Sequence, residues 1–397
     1  MSTDGTPETV GQRIARTRKL RGLTQIGLAQ RVAYSRSHLA QVETGRKVAT
    51  PAFVTATAAA LGVDPAELYG QPYRGCSRAD DQVHASISDL RRAMAYVDVG
   101  PEFDAPPRTL DQLASAIDDA LALRHAARHR QLAARLPAII EELTWYVYEV
   151  GGARPWSLLN RTHNLAASLT RRLGYNDLSG QIMERAAVSA AHSQDPHLPL
   201  MISHRRSLLM MGIAAYGPAI RLLDQSIRKV DKVRPDAAEV LGSLHLRAAV
   251  VSARGRRSTD AWDHYEQATE VSRAAGSPVL DEHGTDYNPG NLAIHGAAIA
   301  LELGDLDEAA RRDERIPARV LNGMAAERRA HHQIDMARVR VELGDYGRAL
   351  SRVLAAERCA PQMTRFHPSA RAVAVHLADA RRTVPEPLRG LLNRMCV

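Results

Sequence analysis

Arg36, Ser37, His38 and Gln41 sit close together on what helical spacing makes one outward face. Arginine, serine and glutamine are the side chains best matched to the donor and acceptor edges of bases and to phosphate oxygens, so the chemistry on offer is recognition of double-stranded DNA. Such side chains read a duplex only if a rigid scaffold presents them together, and the flanking residues must build it.

Thr24 can cap a short helix whose inner face carries Leu28 and Val32, and a tight turn follows at Ala33–Tyr34. Ser35 then caps a second helix with Leu39 and Val42 on its inner face, and Gly45 ends it because glycine tolerates left-handed backbone angles. The pattern is a helix-turn-helix.

The string Leu-Thr-Gln, Leu-Ala, Ser, Leu, Val-Glu-x-Gly-Arg and Ala-Leu-Gly-Val across residues 23–63 resembles the phage-repressor-like (Xre) helix-turn-helix family. The resemblance implies a five-helix bundle over roughly Val10–Arg21, Thr24–Val32, Ser35–Glu43, Pro51–Leu61 and Pro65–Tyr69. It implies that Gln25 and Gln41 hold the DNA backbone or a neighbouring base, and that Arg36 and Ser37, just after Ser35, enter the major groove. Arg46 and Lys47 would meet phosphate, and Glu43 would brace the fold. Ile26 and Gly27 depart from the polar residues usual in the family, and a mid-helix Gly27 should cost about 1 kcal/mol against alanine.

Charge supports this placement. Residues 1–75 hold ten Lys and Arg against five acids, a net of +5, while the rest of the +8 chain carries only +3. The positive excess sits where phosphate would lie. At 397 residues the chain is too long for one core, so more than one domain is expected.

Beyond residue 75 an apolar stripe of Val83, Ile87, Leu90 and Met94 predicts a helix over Asp80–Val97, and the prolines of segment 100–107 predict a hinge. From Leu110 onward the pattern is helix upon helix. Leu303-Gly304-Asp305-Leu306-Asp307-Glu308-Ala309 is echoed by Leu343-Gly344-Asp345-Tyr346-Gly347-Arg348-Ala349, with weaker echoes at Gly174, Gly212 and Gly255. This Gly-Asp-(Leu/Tyr)-x-x-Ala signature resembles tetratricopeptide (TPR) repeats, in which the glycine turns one helix into its partner. The fold class is therefore all-α: a five-helix DNA-binding domain (1–75), a connector helix and hinge (76–109) and a TPR-like α-solenoid (110–397).

TPR solenoids present the first helix of each pair to a concave groove. With each glycine as the turn, residues about 13, 10, 9 and 6 positions earlier should face it. That register yields Asn164, Arg206, His245, Asn291, His295 and Arg338 as candidate ligand contacts. Asparagine can pair with a peptide backbone and arginine can grip a carboxylate. The combination resembles Gram-positive quorum-sensing receptors of the RRNPP type, which implies a signalling peptide or small-molecule ligand. The rival reading is a DNA-tethered docking scaffold with no ligand.

Three widely spaced cysteines, Cys76, Cys359 and Cys396, suggest free thiols in a reducing cytoplasm. Neither an export signal nor an apolar run long enough for a bilayer occurs in the sequence. His331 and His332 are adjacent and face different ways, and His192 and His197 flank Asp195-Pro196 in an expected solvated loop, so no metal site is proposed. Walker, dinucleotide-binding and nucleophile-elbow motifs are missing, which leaves no catalytic residue or cofactor to name. The expected protein is a cytoplasmic transcriptional regulator, not an enzyme, working as a homodimer on an inverted-repeat operator.

Overall fold

A computed structural model of the chain describes residues 8–73, 78–96, 99–276, 279 and 281–397. Among them are helices and no strand. The head comprises α1 (Val10–Leu20), α2 (Gln25–Val32), α3 (Arg36–Glu43), α4 (Pro51–Leu61) and α5 (Pro65–Tyr69). Its core gathers one stripe from each helix, including Ile14, Leu28, Val32, Leu39, Val42, Phe53 and Leu68. Thr24 and Ser35 stand just outside their helices as caps, each side-chain oxygen accepting the backbone N–H three residues on.

The second body opens with α6 (Arg78–Ala93), α7 (Leu110–His125) and α8 (His129–Glu149). Antiparallel pairs follow: α9 (Ala153–Arg172) with α10 (Asn176–His192), α11 (Leu198–Gly212) with α12 (Tyr216–Ile227), and α13 (Ala237–Arg254) with α14 (Ser258–Ala275). Next come α15 (Pro289–Leu303) with α16 (Leu306–Glu314), a short α17 (Ala318–Gly323), and α18 (Ala326–Glu342) with α19 (Tyr346–Cys359). The array closes on α20 (Pro361–Phe366), α21 (Pro368–Asp379) and α22 (Glu386–Met395). Every glycine read as a repeat turn lies between the helices of a pair, or ends the first of them, so the architecture is the TPR-like solenoid the signature implied.

Two expectations change in detail. Segment 100–107 is non-helical, as its prolines require, but it joins α6 to α7, and α6 buries Val83, Ile87 and Leu90 in the same cluster as α7 and α8. The predicted hinge is thus a loop inside the solenoid. Cys359 is a free thiol, whereas Cys396 is disulfide-bonded, which corrects the expectation of free thiols throughout; Cys76 lies outside the described residues.

The head is docked. Val48, in the loop after α3, joins the apolar cluster of α18–α22, and Lys47 pairs with Glu342 at 3.1 Å. The Arg256 guanidinium lies 4.7 Å from the Tyr34 ring centroid, and Arg371 lies 4.1 Å from that of Tyr73.

Candidate nucleic-acid interface and central cavity

The turn between α2 and α3 is built by Ala33 at φ 55°, a left-handed residue that redirects the chain so that Ser35 can cap α3. Beneath it, Glu43 takes two bonds from the Arg18 guanidinium at 2.7 and 3.0 Å and a third from the Gln25 amide at 2.8 Å. Both ends of the Arg18–Glu43 pair are buried. Leaving one partner of such a pair alone costs about 3–5 kcal/mol, so Glu43 braces the bundle as expected. Gln25 is drawn into this brace through its amide nitrogen.

On the far side of α3, Arg36, Ser37 and Gln41 are exposed, together with Ser35 and Arg46. His38 does not stand with them. It lies one turn before Val42, so its ring turns inward, 5.0 Å from Phe53 and 5.1 Å from Tyr34. Burial lowers its basicity, and Lys47 adds to the effect. Lys47 is half-buried against Glu342. Gly27 falls in the first turn of α2 and not in mid-helix, and its N–H bonds to the Thr24 hydroxyl at 3.0 Å, so its cost against alanine is at most the roughly 1 kcal/mol expected.

Between head and solenoid lies a cavity of about 1180 Å³. Thr55, Tyr69 and Gln71 of the head form part of its wall. Asn164, Arg206, His295 and Arg338 also line it, so four of the six candidates come together. Asn164 donates its amide to Asn160 at 2.8 Å, leaving its own buried Oδ1 without a partner. Arg206 pairs with Glu184 at the rim. His295 bonds through Nδ1 to the Asn291 carbonyl at 2.7 Å, and burial with Arg328 nearby lowers its pKa to about 3. Arg338 bridges Asp335 at 3.1 Å and Glu302 at 3.4 Å.

The other two candidates lie elsewhere. His245 faces His264 across α13 and α14 at 3.1 Å, and Asn291 is buried in the first turn of α15. The backbone explains the His245 miss. The left-handed turn residue is Gly174, Gly304 or Gly344 in three pairs, but Ala214 and Arg256 in the other two, at φ 60° and 57°. Counting from these residues rather than from Gly212 and Gly255 rotates each helix by about 100° per residue of slip. The cavity then receives His204, Arg205 and Leu208 from α11 and Arg247 and Val250 from α13, all of which line it. Sequence reasoning missed them because two turns place a non-glycine residue in the left-handed position. Arg171 and Arg172, at the end of α9, complete the basic wall.

Its electrostatics are those of a crowded ionic interior. Burial alone would raise the Glu327 carboxyl, but Arg172, Arg124 and Arg328 hold it well below the usual range. Glu302 is lowered likewise by Arg254 and Arg338. His197, placed by sequence in a solvated loop, is instead fully buried. Its Nδ1 meets Asp236 at 2.8 Å, its Nε2 accepts the Asp231 N–H at 3.1 Å, and His283 meets the same Asp236 at 3.0 Å. This triad has the spacing of a metal site, yet its members satisfy one another. His332 pairs with Asp313 and His331 with Arg172, so the two adjacent histidines do face different partners.

A helix-turn-helix domain family matches residues 9–68. The chain is 30% identical over 132 residues to the immunity repressor protein of Bacillus phage phi105, an alignment covering 31% of this chain and 88% of the repressor. Among solved structures, the apo competence regulator ComR from Streptococcus vestibularis aligns at 12% identity and TM-score 0.35, covering 84% of this chain and 97% of that one. PlcR from Bacillus thuringiensis, in complex with the peptide PapR7 and DNA, aligns at 13% identity and TM-score 0.26, covering 68% and 95%. Likenesses that distant say nothing of a ligand or partner for this chain. The repressor relationship spans most of that protein, and with the braced helix-turn-helix it settles the family: the chain belongs to the helix-turn-helix DNA-binding regulators related to the phage immunity repressor, here carrying a TPR-like helical repeat domain.

Proposed function

We propose that the chain is a sequence-specific transcriptional regulator whose hold on DNA is set by a ligand in the cavity. The observation that carries this reading is the shared wall. Thr55, Tyr69 and Gln71 of the head face the same space as Asn164, His295 and Arg338 of the solenoid, so an occupant touches both bodies at once. A ligand shifts an equilibrium only by its differential contact with two states, and a wall supplied in part by the DNA-binding head would provide that contact. Two copies would act together in the cytoplasm on an inverted repeat, because paired recognition helices enter successive major grooves about 34 Å apart.

Site selection from random duplexes with the full-length protein tests the reading. The enriched site should be an inverted repeat, and Arg36→Ala should weaken it by about 1–3 kcal/mol while binding to random DNA changes little. Equal affinity for selected and random duplexes would sink sequence-specific regulation. Sedimentation showing one protomer per site would remove the dimer.

A further inference from the structure

The wall of the cavity holds more positive charge than its acids neutralise. Arg172 is paired with Glu327, Arg338 with Glu302 and Asp335, and Arg254 with Glu302. Arg205 donates to the His283 carbonyl at 2.9 Å, and Arg328 donates to the Thr285 carbonyl at 2.8 Å and pairs with Asp286 at 3.4 Å. Among the described residues, Arg171 has no ion-pair or hydrogen-bond partner, and Arg247 meets only the His204 ring, Nε to Nε2, at 3.4 Å. Both are part-buried on the cavity wall, where a guanidinium without a paired carboxylate is less well solvated than in open water, and arginine does not escape by losing its proton.

We propose that Arg171 and Arg247 form an oxyanion site, holding the carboxylate or phosphate of a small organic anion inside the cavity. The proposal rests on the reading that the cavity takes a ligand, and names its chemistry. The planar guanidinium fork matches two oxygens of a carboxylate or phosphate at once. A third donor stands beside Arg247. Because His204 accepts from Arg247 at Nε2, its proton sits on Nδ1, which is buried and without a partner. Burial, reinforced by Arg328, Arg171, Arg254 and Arg205, lowers Arg247 to about 9, and burial with Arg247 and Arg205 nearby keeps His204 neutral. Burial, with Arg172 adding, brings Arg171 to about 10. Both guanidinium groups therefore remain charged at neutral pH.

The rest of the wall sets the body of the ligand. At about 1180 Å³ the space exceeds what a bare ion needs, and Leu165, Met211, Ile294 and Phe366 give it apolar stretches. The orphaned Asn164 Oδ1 asks for an N–H or O–H. An amphipathic organic acid, a phosphate monoester and the free C-terminus of a short apolar peptide share this chemistry.

Thermal unfolding of the full-length protein, at pH 7.5 and fixed ionic strength, tests the assignment. The probes are phenyl phosphate, phenylacetate, and one apolar pentapeptide in free-carboxyl and amidated forms, against sodium chloride alone. At millimolar concentration at least one anionic probe should raise the melting temperature by about 3 °C or more. The arm that responds identifies the source, and the amidated peptide should lack the effect. In the Arg171→Gln/Arg247→Gln double variant the shift should vanish, while the probe-free protein melts at or above the parent, since two uncompensated charges are gone. Arg247→Lys, which keeps charge but not the fork, should bind at least tenfold more weakly. Anionic probes that do no more than sodium chloride would overturn the site, as would a double variant that melts well below the parent. A neutral compound that shifts both melting and operator affinity in parent and double variant alike would overturn it too, while sparing ligand control. Anion binding lost with Arg247 but without effect on operator affinity would support the site and sink that earlier reading.

Discussion

Lys47, in the loop after the recognition helix, is paired at 3.1 Å with Glu342, at the far end of the sequence on α18. The lysine expected to meet phosphate is thus already engaged by a carboxylate of the solenoid. Head and solenoid are joined here through the very group DNA would take.

Glu342→Gln should free Lys47. The pair is partly solvent-accessible and worth at most about 1 kcal/mol, so operator affinity should rise by up to about fivefold. The slope of log affinity against log salt should steepen by less than one phosphate contact. Fluorescence anisotropy across a salt series reads both; unchanged affinity would show that Lys47 does not reach DNA.

Two head glycines should respond oppositely to alanine. A Cβ on Gly27 would meet nothing closer than the Thr24 hydroxyl at 3.4 Å, and alanine is the better helix former, so Gly27→Ala should stabilise by about 0.5–1 kcal/mol. A Cβ on Gly11 would fall 2.0 Å from the Val42 carbonyl oxygen, and Gly11→Ala should destabilise by about 1–3 kcal/mol as α1 and α3 are forced apart. Chemical denaturation of both variants checks the pair of signs.

The solenoid turns allow a similar contrast. Ala214 sits at φ 60°, so Ala214→Gly should stabilise by about 1 kcal/mol. Gly174 sits at φ 86° and an added Cβ would meet the Gln71 side chain at 2.6 Å, so Gly174→Ala should destabilise. A melting point that moves the same way in both would refute this account of the turns.

Acid should weaken the fold through histidines buried neutral. Burial lowers His163 to about 3, with Arg185 adding, and His129 to about 4, with Arg172 adding. The unfolded chain takes up these protons near pH 6.5 and the folded chain does not, so their contribution is present above 6.5 and is lost as pH falls toward the folded values. Glu239 opposes them: burial and Asp281 push its carboxyl up to about 8, so its contribution grows as pH falls from there toward the ordinary glutamate range. Removing one histidine isolates its share. His163→Gln should flatten the loss between pH 6.5 and 5 by about 1.4 kcal/mol per pH unit at most. Urea titrations at the two pH values measure it, and an identical slope in the variant would remove His163 from the account.

The head was readable because each of its signals is local. Thr24, Ser35 and Gly45 act within a few residues of where they stand, and apolar spacing marks Leu28, Val32, Leu39 and Val42 directly. His38 was misplaced because a polar ring one turn from Val42 can pack on Phe53 as well as face solvent. The repeat turns were visible as glycines, yet the register of α11 and α13 was not. Ala214 and Arg256 hold a conformation that local propensity assigns to glycine, and the fold imposes it on them. That the head supplies part of the cavity wall is a contact between distant segments, which no local pattern encodes.

With the proposed ligand in the cavity, that shared wall would tie two equilibria together. Where Tyr69 and Gln71 help enclose a molecule, any displacement of the head takes contacts away from it. By thermodynamic linkage the factor by which an occupant changes the affinity for DNA is the factor by which DNA changes the affinity for the occupant. Promoter occupancy would then bias the hold on the signal by the same factor as the signal biases the hold on the promoter.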